Sequence, residues 1–310
     1  MTAITLVDVG PRDGLQNEPK LLSTATKVAL IARLADAGIT TVEASSFVNP
    51  KRVPQMADAA DVINGLREAA VDVHKIGLAL NVKGCERAIA AGVDEVGFVL
   101  VSTDTFSQKN QGAPVSRSIE IWREIQALCK RAGVRSNVSV AAAFGCPFEG
   151  EVPTRQTLTL AETLLESPPD VIGVADSIGV GVPRQMTAVI SGLVGLAGSI
   201  PVRCHLHDTR NTGIANAFAA IEAGATLIDA STGGIGGCPF APAATGNIAT
   251  EDLVYALERS GIDTGVDVDA ILATTAWLTE QLEHDVPSAL AKAGVFPKDS
   301  PLVAATTEAA

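Results

Sequence analysis

The sequence lacks any long hydrophobic run and any obvious export segment. No apolar stretch reaches the roughly 18 residues that a transmembrane helix needs. The first ten residues, MTAITLVDVG, have no basic segment before an apolar one, so they do not resemble a secretion signal. Because 47% of the 310 residues are hydrophobic and the mean hydropathy is +0.28, we expect a soluble protein with one large core or at most two domains.

Cysteines, aromatic residues and basic residues are also few or scattered. The five cysteines occur in an odd number and without CxxC spacing, which argues against a disulfide framework or a zinc ribbon and favours the reducing cytoplasm. Aromatic residues make up only 4% of the chain, and the formal net charge is -12. These values argue against nucleic acid as a partner. They also require that any anionic ligand be bound by local basic residues.

Short β-branched segments alternate with alanine-rich helical patterns along most of the chain. The helical patterns at 24–38, 82–92, 210–224 and 249–261 each end with a glycine, the residue expected just past a helix C-terminus. The predicted strands cover residues 4–10, 40–46, 75–81, 95–101, 137–144, 171–176, 202–207 and 226–232.

Eight strand–helix units within about 260 residues predict an α/β protein with a (β/α)8 TIM barrel. A doubly wound open sheet is the alternative, but the first strand runs into GPRDGLQ at residues 10–16, without a GxGxxG turn. We assign residues 1–285 to a catalytic barrel and residues 286–310 to a small C-terminal helical cap followed by a flexible tail. A barrel of this kind predicts an active site at the carboxyl ends of its strands.

Two of the four histidines, His205 and His207, lie two residues apart on the seventh predicted strand. Side chains at i and i+2 of a strand point to the same side, so both imidazoles can reach one point. Asp13 follows the first strand, which only the eighth strand separates from the seventh in a closed barrel. Two imidazoles and one carboxylate, with a further oxygen ligand, suit Mg²⁺ or Mn²⁺. The alternative is a pair of histidines that hydrogen-bond neighbouring backbone groups.

Three polar residues near the predicted strand ends each have two interpretations. Arg12 forms a surface ion pair with Asp13 or directs a fixed positive charge at a developing oxyanion. Asn247 is the N-cap of the last helical segment or a metal ligand. Cys238 is a small buried hydrophobic residue or, in its glycine- and proline-rich loop, a functional residue of a mobile lid.

Two acids lie in apolar segments of the chain. Glu43 belongs to the second predicted strand, and Asp176 ends the sixth. We expect them either to orient metal ligands or to be structural acids near Arg12. Cys146, whose surroundings resemble those of Cys238, is expected to pack in the interior.

Several of these segments resemble the 3-hydroxy-3-methylglutaryl-CoA (HMG-CoA) lyase family. This family is a branch of the metal-dependent lyases and synthases that cleave or form C–C bonds on a TIM barrel. The resemblance is carried by VGPRDGLQNEP at 9–19, EASSFVNPKRVPQMAD at 43–58, GCPFEGE at 145–151, DSIGVGVP at 176–183, CHLHDT at 204–209 and GGIGGCPFAPAATGNIATEDLVYAL at 233–257. The glycine-rich loop with its cysteine resembles the loop found in the lyase branch of this group.

The resemblance implies a divalent-metal enzyme, with Mg²⁺ or Mn²⁺, that is a homodimer and takes an acyl-CoA substrate. The implied reaction cleaves HMG-CoA to acetyl-CoA and acetoacetate, as in leucine degradation and ketone body metabolism. Four residues would be the metal ligands: Asp13, His205, His207 and Asn247. Arg12 would be the electrostatic catalyst, Cys238 the proton-transferring residue, and Glu43 and Asp176 supporting acids; the initial base stays open between a histidine near the metal and an acid.

The implied substrate contacts are polar or basic side chains: Arg12, Gln16, Lys20, Lys109, Asn110 and Arg210. The sequence departs from the family in this region, since Arg210, Asn211 and Thr212 stand where Tyr-Gly-Gln is usual. These changes leave the expected reaction type intact but open the identity of the acyl group. The alternatives are citramalyl-CoA, a longer branched glutaryl-CoA, or an aldolase or Claisen synthase reaction with a 2-keto acid.

Overall fold

The computed structural model describes residues 4–237 and 246–297 of the chain. Its centre is a closed barrel of parallel strands, in the order β1-β10-β9-β8-β5-β4-β3-β2. The barrel strands are β1 (Thr5–Asp8), β2 (Thr41–Ser46), β3 (His74–Leu78), β4 (Glu95–Val101), β5 (Arg135–Ala141), β8 (Val171–Asp176), β9 (Val202–Leu206) and β10 (Leu227–Ala230). Each of these strands overlaps one of the eight predicted segments, so the TIM-barrel prediction is confirmed.

Helices surround the barrel and cover the outward faces of its strands. They are α1 (Thr24–Asp36), α2 (Ala59–Glu68), α3 (Val82–Ala91), α4 (Asp104–Gln111), α5 (Val115–Ala132), α6 (Thr154–Leu165), α7 (Pro183–Ala197), α8 (Gly213–Glu222), α9 (Thr250–Arg259), α10 (Val268–Leu282) and α11 (Leu290–Ala293). The core lies between the two layers, where Phe98 of β4 stacks on Trp122 of α5 with ring centroids 6.1 Å apart.

Local sequence explains where individual helices begin and end. The Ser23 hydroxyl accepts a hydrogen bond from the Thr26 amide and begins α1, and Asn81 accepts one from the Gly84 amide and begins α3. Gly92 ends α3 in the left-handed conformation, with a φ of 89° that most side chains disfavour. The helix boundaries therefore follow capping chemistry that is visible in the sequence.

Two additions to the barrel lie outside the repeating units. A short hairpin follows β5 and pairs β6 (Gly145–Cys146) with β7 (Gly150–Glu151). Its Cys146 is buried and accepts a hydrogen bond of 3.0 Å from the Thr103 hydroxyl, in agreement with a packing role. At the other end of the chain, Asp252 of α9 accepts a hydrogen bond from the Leu290 amide at 2.7 Å and so holds α11 against the barrel. The domain boundary at residue 285 stays a prediction.

Within the described ranges, none of the helices has the length and hydrophobicity that a membrane span requires.

Candidate active site

Arg12 and Asp13 lie on a tight turn directly after β1. Residues Gly10–Gly14 form one π-helical turn, in which the Leu15 amide donates to the carbonyl oxygen of Gly10. Such wide turns are rare and occur often at functional sites. The turn places both side chains at the carboxyl end of the barrel, where Arg12 Nη1 lies 2.5 Å from Asp13 Oδ1.

The two histidines of β9 and the segment after it meet the Asp13 carboxylate. His205 Nε2 lies 3.1 Å from His207 Nε2 and 3.8 Å from Asp13 Oδ2. One ligand atom from each of the three residues lies within 4.8 Å of the other two. Leu206, between the histidines, is 1% exposed and packs in the core on the outside of the barrel. The alternation along the strand therefore directs both imidazoles to one point, as predicted.

Asn247 completes this group from the other side of the long loop after β10. Its backbone pairs with that of His207 in an isolated antiparallel bridge, and Ala249, rather than Asn247, is the N-cap of α9. The N-cap interpretation of Asn247 is therefore wrong. Asn247 Nδ2 donates to Asp13 Oδ2 at 3.0 Å.

The amide oxygen of Asn247 is buried and has no hydrogen-bond partner among the described residues. A buried acceptor without a donor is costly, whereas a cation would satisfy it. Together with one carboxylate and two imidazoles, this oxygen forms a nitrogen and oxygen donor set that suits Mg²⁺ or Mn²⁺. The residues present therefore fit a divalent metal ion.

The surroundings of Asp13 and His207 favour the protonation states that bind a cation, whereas those of His205 favour its protonated form. Burial opposes the ionised form of Asp13, but the Arg12 guanidinium and the histidines hold the pKa of this carboxyl well below its usual range. Burial, followed by the charge of His205, lowers the pKa of His207 to about 4, so this imidazole is neutral near pH 7. Burial is the largest effect on His205 and acts to lower its pKa, but the hydrogen bond and charge of Asp229, together with the charge of Asp13, raise the pKa above its usual value.

Sequence reasoning missed the acid that orients His205. Asp229 of β10 lies in register with His205 of β9, and its Oδ2 is 3.0 Å from His205 Nδ1. A donor at Nδ1 leaves the lone pair of Nε2 directed at Asp13, which is the tautomer that ligation requires. Asp229 is held in turn by Arg203, which lies two residues before His205 on β9 and so points to the same side of the strand. The available signal was an acid and an arginine inside otherwise apolar strands.

Asp8 is a second acid that the sequence reasoning missed. Its Oδ2 accepts hydrogen bonds from the hydroxyls of Thr232 and Thr250 at 2.6 and 2.7 Å, and its Oδ1 accepts one from the Gly10 amide at 2.8 Å. The carboxylate thus joins the end of β1, the segment after β10 and the first turn of α9. Burial raises the pKa of Asp8, against the effect of these donors.

The two acids that were predicted to support the site have different surroundings. Glu43 Oε2 accepts a hydrogen bond of 2.8 Å from Arg12 Nη2, and Glu43 lines the same cavity as Asp13, His205 and His207. Asp176 instead accepts from the amides of Val180 and Gly181 at 3.0 and 2.8 Å, and it does not line the cavity. Asp176 therefore shapes the loop after β8.

A cavity of about 840 Å³ opens at the carboxyl end of the barrel. Its lining includes most of the predicted substrate contacts: Arg12, Gln16, Lys109 and Asn110. Lys20 lies elsewhere and pairs with Glu283 at 2.8 Å. Arg210 also lies outside the lining and donates to the carbonyl oxygens of Ile178 and Gly179 at 2.9 and 3.0 Å. The lysine and arginine side chains that do line the cavity are Arg12, Arg52, Lys109 and Arg203.

Cys238 lies outside the described residues. Its neighbour Gly237 lines the cavity, and the Gly237 carbonyl oxygen accepts a hydrogen bond of 2.7 Å from Asn17 Nδ2. Gly236 has a φ of 100°, and a Cβ there would lie 2.7 Å from Asn247 Nδ2. A residue other than glycine at 236 would therefore be strained and would displace Asn247.

Comparison with known proteins agrees with this geometry. The HMGL-like family model matches residues 3–278. The (R)-citramalyl-CoA lyase of Chloroflexus aurantiacus is 42% identical over 96% of this chain and 97% of its own length. A hydroxymethylglutaryl-CoA lyase of Bacillus subtilis is 36% identical over 92% of this chain and 95% of its own length. An HMG-CoA lyase structure from Acinetobacter baumannii, in complex with coenzyme A and 3-methylmalate, superposes with a TM-score of 0.90 at 38% identity, over 96% of this chain and 97% of that one.

The match extends along nearly the whole barrel, and the relatives named above are enzymes that cleave carbon–carbon bonds. The matched range includes the turn after β1 and the His-x-His segment, which meet at Asp13, His205 and His207. This chain therefore belongs to the HMGL-like family and is a carbon–carbon lyase of that family.

Proposed function

We propose that this protein is a divalent-metal-dependent acyl-CoA lyase that uses Mg²⁺ or Mn²⁺. Its substrate is a CoA thioester with a tertiary alcohol at C3 and a carboxylate on the C3 branch. The observation that carries this proposal is the convergence of Asp13, His205 and His207 beside the unpaired oxygen of Asn247. Arg12 lies against this group and borders the same cavity.

We propose (R)-citramalyl-CoA as the first substrate to test and HMG-CoA as the second. The citramalyl-CoA lyase of C. aurantiacus supports the first, because it has 42% identity against 36% for the B. subtilis HMG-CoA lyase. Both substrates yield acetyl-CoA, but citramalyl-CoA also yields pyruvate and HMG-CoA yields acetoacetate.

The reaction needs a proton acceptor, a site for negative charge and a proton donor. A divalent cation held by Asp13, His205, His207 and Asn247 would lower the pKa of the substrate hydroxyl. Loss of that proton turns C3 into a ketone carbon as the C2–C3 bond breaks. The bonding electrons move into the thioester as an enolate, and protonation at C2 then gives acetyl-CoA.

Arg12 is suited to stabilise the enolate oxygen. Its guanidinium stays charged, and Asp13 and Glu43 fix it from two sides through bonds of 2.5 and 2.8 Å. Its Nε is buried and has no hydrogen-bond partner among the described residues, which leaves donor capacity for a substrate oxygen. Cys238 is proposed as the donor to C2, supported by the position of its neighbour Gly237 in the cavity lining.

The test is a substrate panel with the purified protein stripped of metal and then supplied with Mg²⁺ or Mn²⁺. We expect metal-dependent release of acetyl-CoA together with pyruvate from (R)-citramalyl-CoA. Acetoacetate from HMG-CoA alone would instead select the second substrate. Absence of acetyl-CoA release from all 3-hydroxy-3-carboxylic thioesters tested would contradict the proposed function. Light scattering of the same sample tests the predicted homodimer.

A further inference from the structure

Six ionisable side chains that line the cavity form a closed ring inside the barrel. Going around the ring, they are Arg12, Asp13, His205, Asp229, Arg203 and Glu43. Every neighbouring pair in the ring lies within 3.9 Å, and none of the six side chains is more than 16% exposed. Asp13 and His205 are candidate metal ligands, Asp229 orients His205, and Glu43 holds Arg12. Arg203 is the member of the ring that has no role so far.

Arg203 holds Asp229 with two parallel bonds. Arg203 Nε lies 2.6 Å from Asp229 Oδ1, and Arg203 Nη2 lies 2.9 Å from Asp229 Oδ2. A two-point contact between a guanidinium and a carboxylate fixes the plane of both groups. The fixed carboxylate then allows only one orientation of the His205 imidazole, in which Nδ1 lies 3.0 Å from Asp229 Oδ2.

Arg203 also reaches its other neighbour in the ring, Glu43. Its Nη2 lies 3.9 Å from Glu43 Oε2, the oxygen that accepts the 2.8 Å hydrogen bond from Arg12. Glu43 is thus placed between two guanidinium groups, and its position fixes that of Arg12.

The sequence leaves room for Arg203 on the adjacent strand. A Cβ at Gly173 of β8 would lie 2.8 Å from the Arg203 carbonyl oxygen and 3.2 Å from Arg203 Cβ. Gly173 and Arg203 face each other in the register of β8 and β9. The absence of a side chain at Gly173 therefore leaves space for the backbone and Cβ of Arg203.

We propose that Arg203 is a positioning residue that acts on both halves of the site at once. Through Asp229 it sets the ring orientation of the ligand His205, and through Glu43 it sets the guanidinium of Arg12. This inference rests on the proposed function only in that the group of Asp13, His205 and His207 binds a divalent cation.

The experiment measures Mn²⁺ affinity by titration calorimetry without substrate, for the wild type and three variants. Arg203→Met removes the guanidinium and keeps much of its length, and Asp229→Asn removes the carboxylate that it holds. For both variants we expect Mn²⁺ affinity to fall about 10- to 100-fold, the usual effect of losing a group that orients a ligand. Arg203→Lys keeps the charge but not the two-point geometry, so we expect an intermediate affinity.

A steady-state measurement adds the effect on Arg12. At saturating metal, we expect Arg203→Met to lower kcat about tenfold or more, while KM for the acyl-CoA changes less than twofold. Lys27→Met is the matched control. Lys27 is a buried cation whose Nζ lies 2.7 Å from Asp58 Oδ1, and neither residue lines the cavity. This substitution should lower thermal stability and leave Mn²⁺ affinity unchanged.

The outcomes separate the two proposals. A wild-type protein that binds no divalent cation would contradict the proposed function and this inference together. A wild type that binds Mn²⁺, with Arg203→Met and Asp229→Asn folded and within twofold of its affinity, would overturn the positioning role alone. Should Arg203→Met fail to fold, the ordering of wild type, Arg203→Lys and Asp229→Asn decides the question in the same way.

Discussion

Asp8 and Thr250 are separated by 242 residues in sequence, yet the Thr250 hydroxyl donates to Asp8 Oδ2 at 2.7 Å. This bond joins the end of β1 to the first turn of α9. The turn with Asp13 follows Asp8, and Asn247 precedes Thr250, so the same bond brings two predicted metal ligands together. The position of the site therefore depends on a buried acid that is not itself one of the candidate metal ligands.

Replacement of Asp8 by asparagine should lower both stability and metal affinity. The asparagine oxygen can accept from only part of the donors that now face the carboxylate, and its NH2 group would face the others as a further donor. This leaves buried groups unpaired at a cost of about 2–3 kcal/mol. Denaturant unfolding measures the first effect, and Mn²⁺ titration measures the second. The partly buried Asp58→Asn variant, remote from the site, serves as the control and should lose stability without losing Mn²⁺ affinity.

Arg12→Gln should remove most of the turnover and little of the metal binding. Loss of a charged group that stabilises a developing oxyanion costs about 10²- to 10³-fold in kcat. Mn²⁺ titration of the variant should give an affinity close to that of the wild type, since Arg12 is not a ligand. The exposed Arg117, paired with Glu120, provides a control in Arg117→Gln, which should keep full activity. Equal turnover in Arg12→Gln and wild type would contradict the role of Arg12.

Cys238→Ala should lower kcat strongly and leave Mn²⁺ affinity unchanged, because its proposed role is proton transfer to C2. Exchange of solvent deuterium into acetyl-CoA during turnover measures that step directly. Cys129→Ala, which removes a buried thiol of α5, should keep the wild-type exchange rate. Full turnover of Cys238→Ala would exclude a proton-transfer role for this residue.

Two lysines near the rim should behave differently towards the acyl-CoA. Lys109 lines the cavity, and we expect Lys109→Met to raise KM about tenfold, equivalent to roughly 1.4 kcal/mol of binding. Lys20 pairs with Glu283 outside the lining, so Lys20→Met should leave KM within twofold of the wild type. Steady-state kinetics at saturating Mn²⁺ make the comparison. A rise in KM for Lys20→Met alone would show that the CoA moiety takes another path.

Glu251 should make folding stability depend on pH. Burial, partly offset by donors such as the Gly233 amide, raises the pKa of Glu251 from 4.5 to about 7. The folded state thus holds its proton more tightly than the unfolded state between these values, so stability falls as pH rises from about 4.5 to 7. The loss contributed by this group is about 3 kcal/mol at most, and it is complete above pH 7.

Urea unfolding of wild type and Glu251→Gln at pH 5 and pH 8 tests this expectation. The variant should lose less stability than the wild type across the interval, because its amide does not ionise. Glu120→Gln, which removes an exposed carboxylate of α5, should follow the wild-type curve. Parallel curves for wild type and Glu251→Gln would show that Glu251 is ionised throughout.

The barrel could be predicted from the sequence alone, because the patterns that indicate its strands and helices lie within short segments of the chain. Alternating β-branched segments and alanine-rich helices predicted all eight barrel strands, and glycines after the helices marked their ends. The period of two along β9 was enough to place His205 and His207 on the same side. Asp13 followed from chain order, since a closed barrel brings the first strand close to the last.

The tertiary structure decided which polar groups meet across strands. Asp229 pairs with His205 through the lateral register of β10 and β9, which no local pattern encodes. Asp176 ends a strand as an active-site acid would, yet its carboxylate binds the amides of its own loop. Lys20 is near Asp13 in sequence but lies beside Glu283. The partner of an ionisable side chain depends on packing between distant segments, whereas the strand that carries it depends on its immediate neighbours.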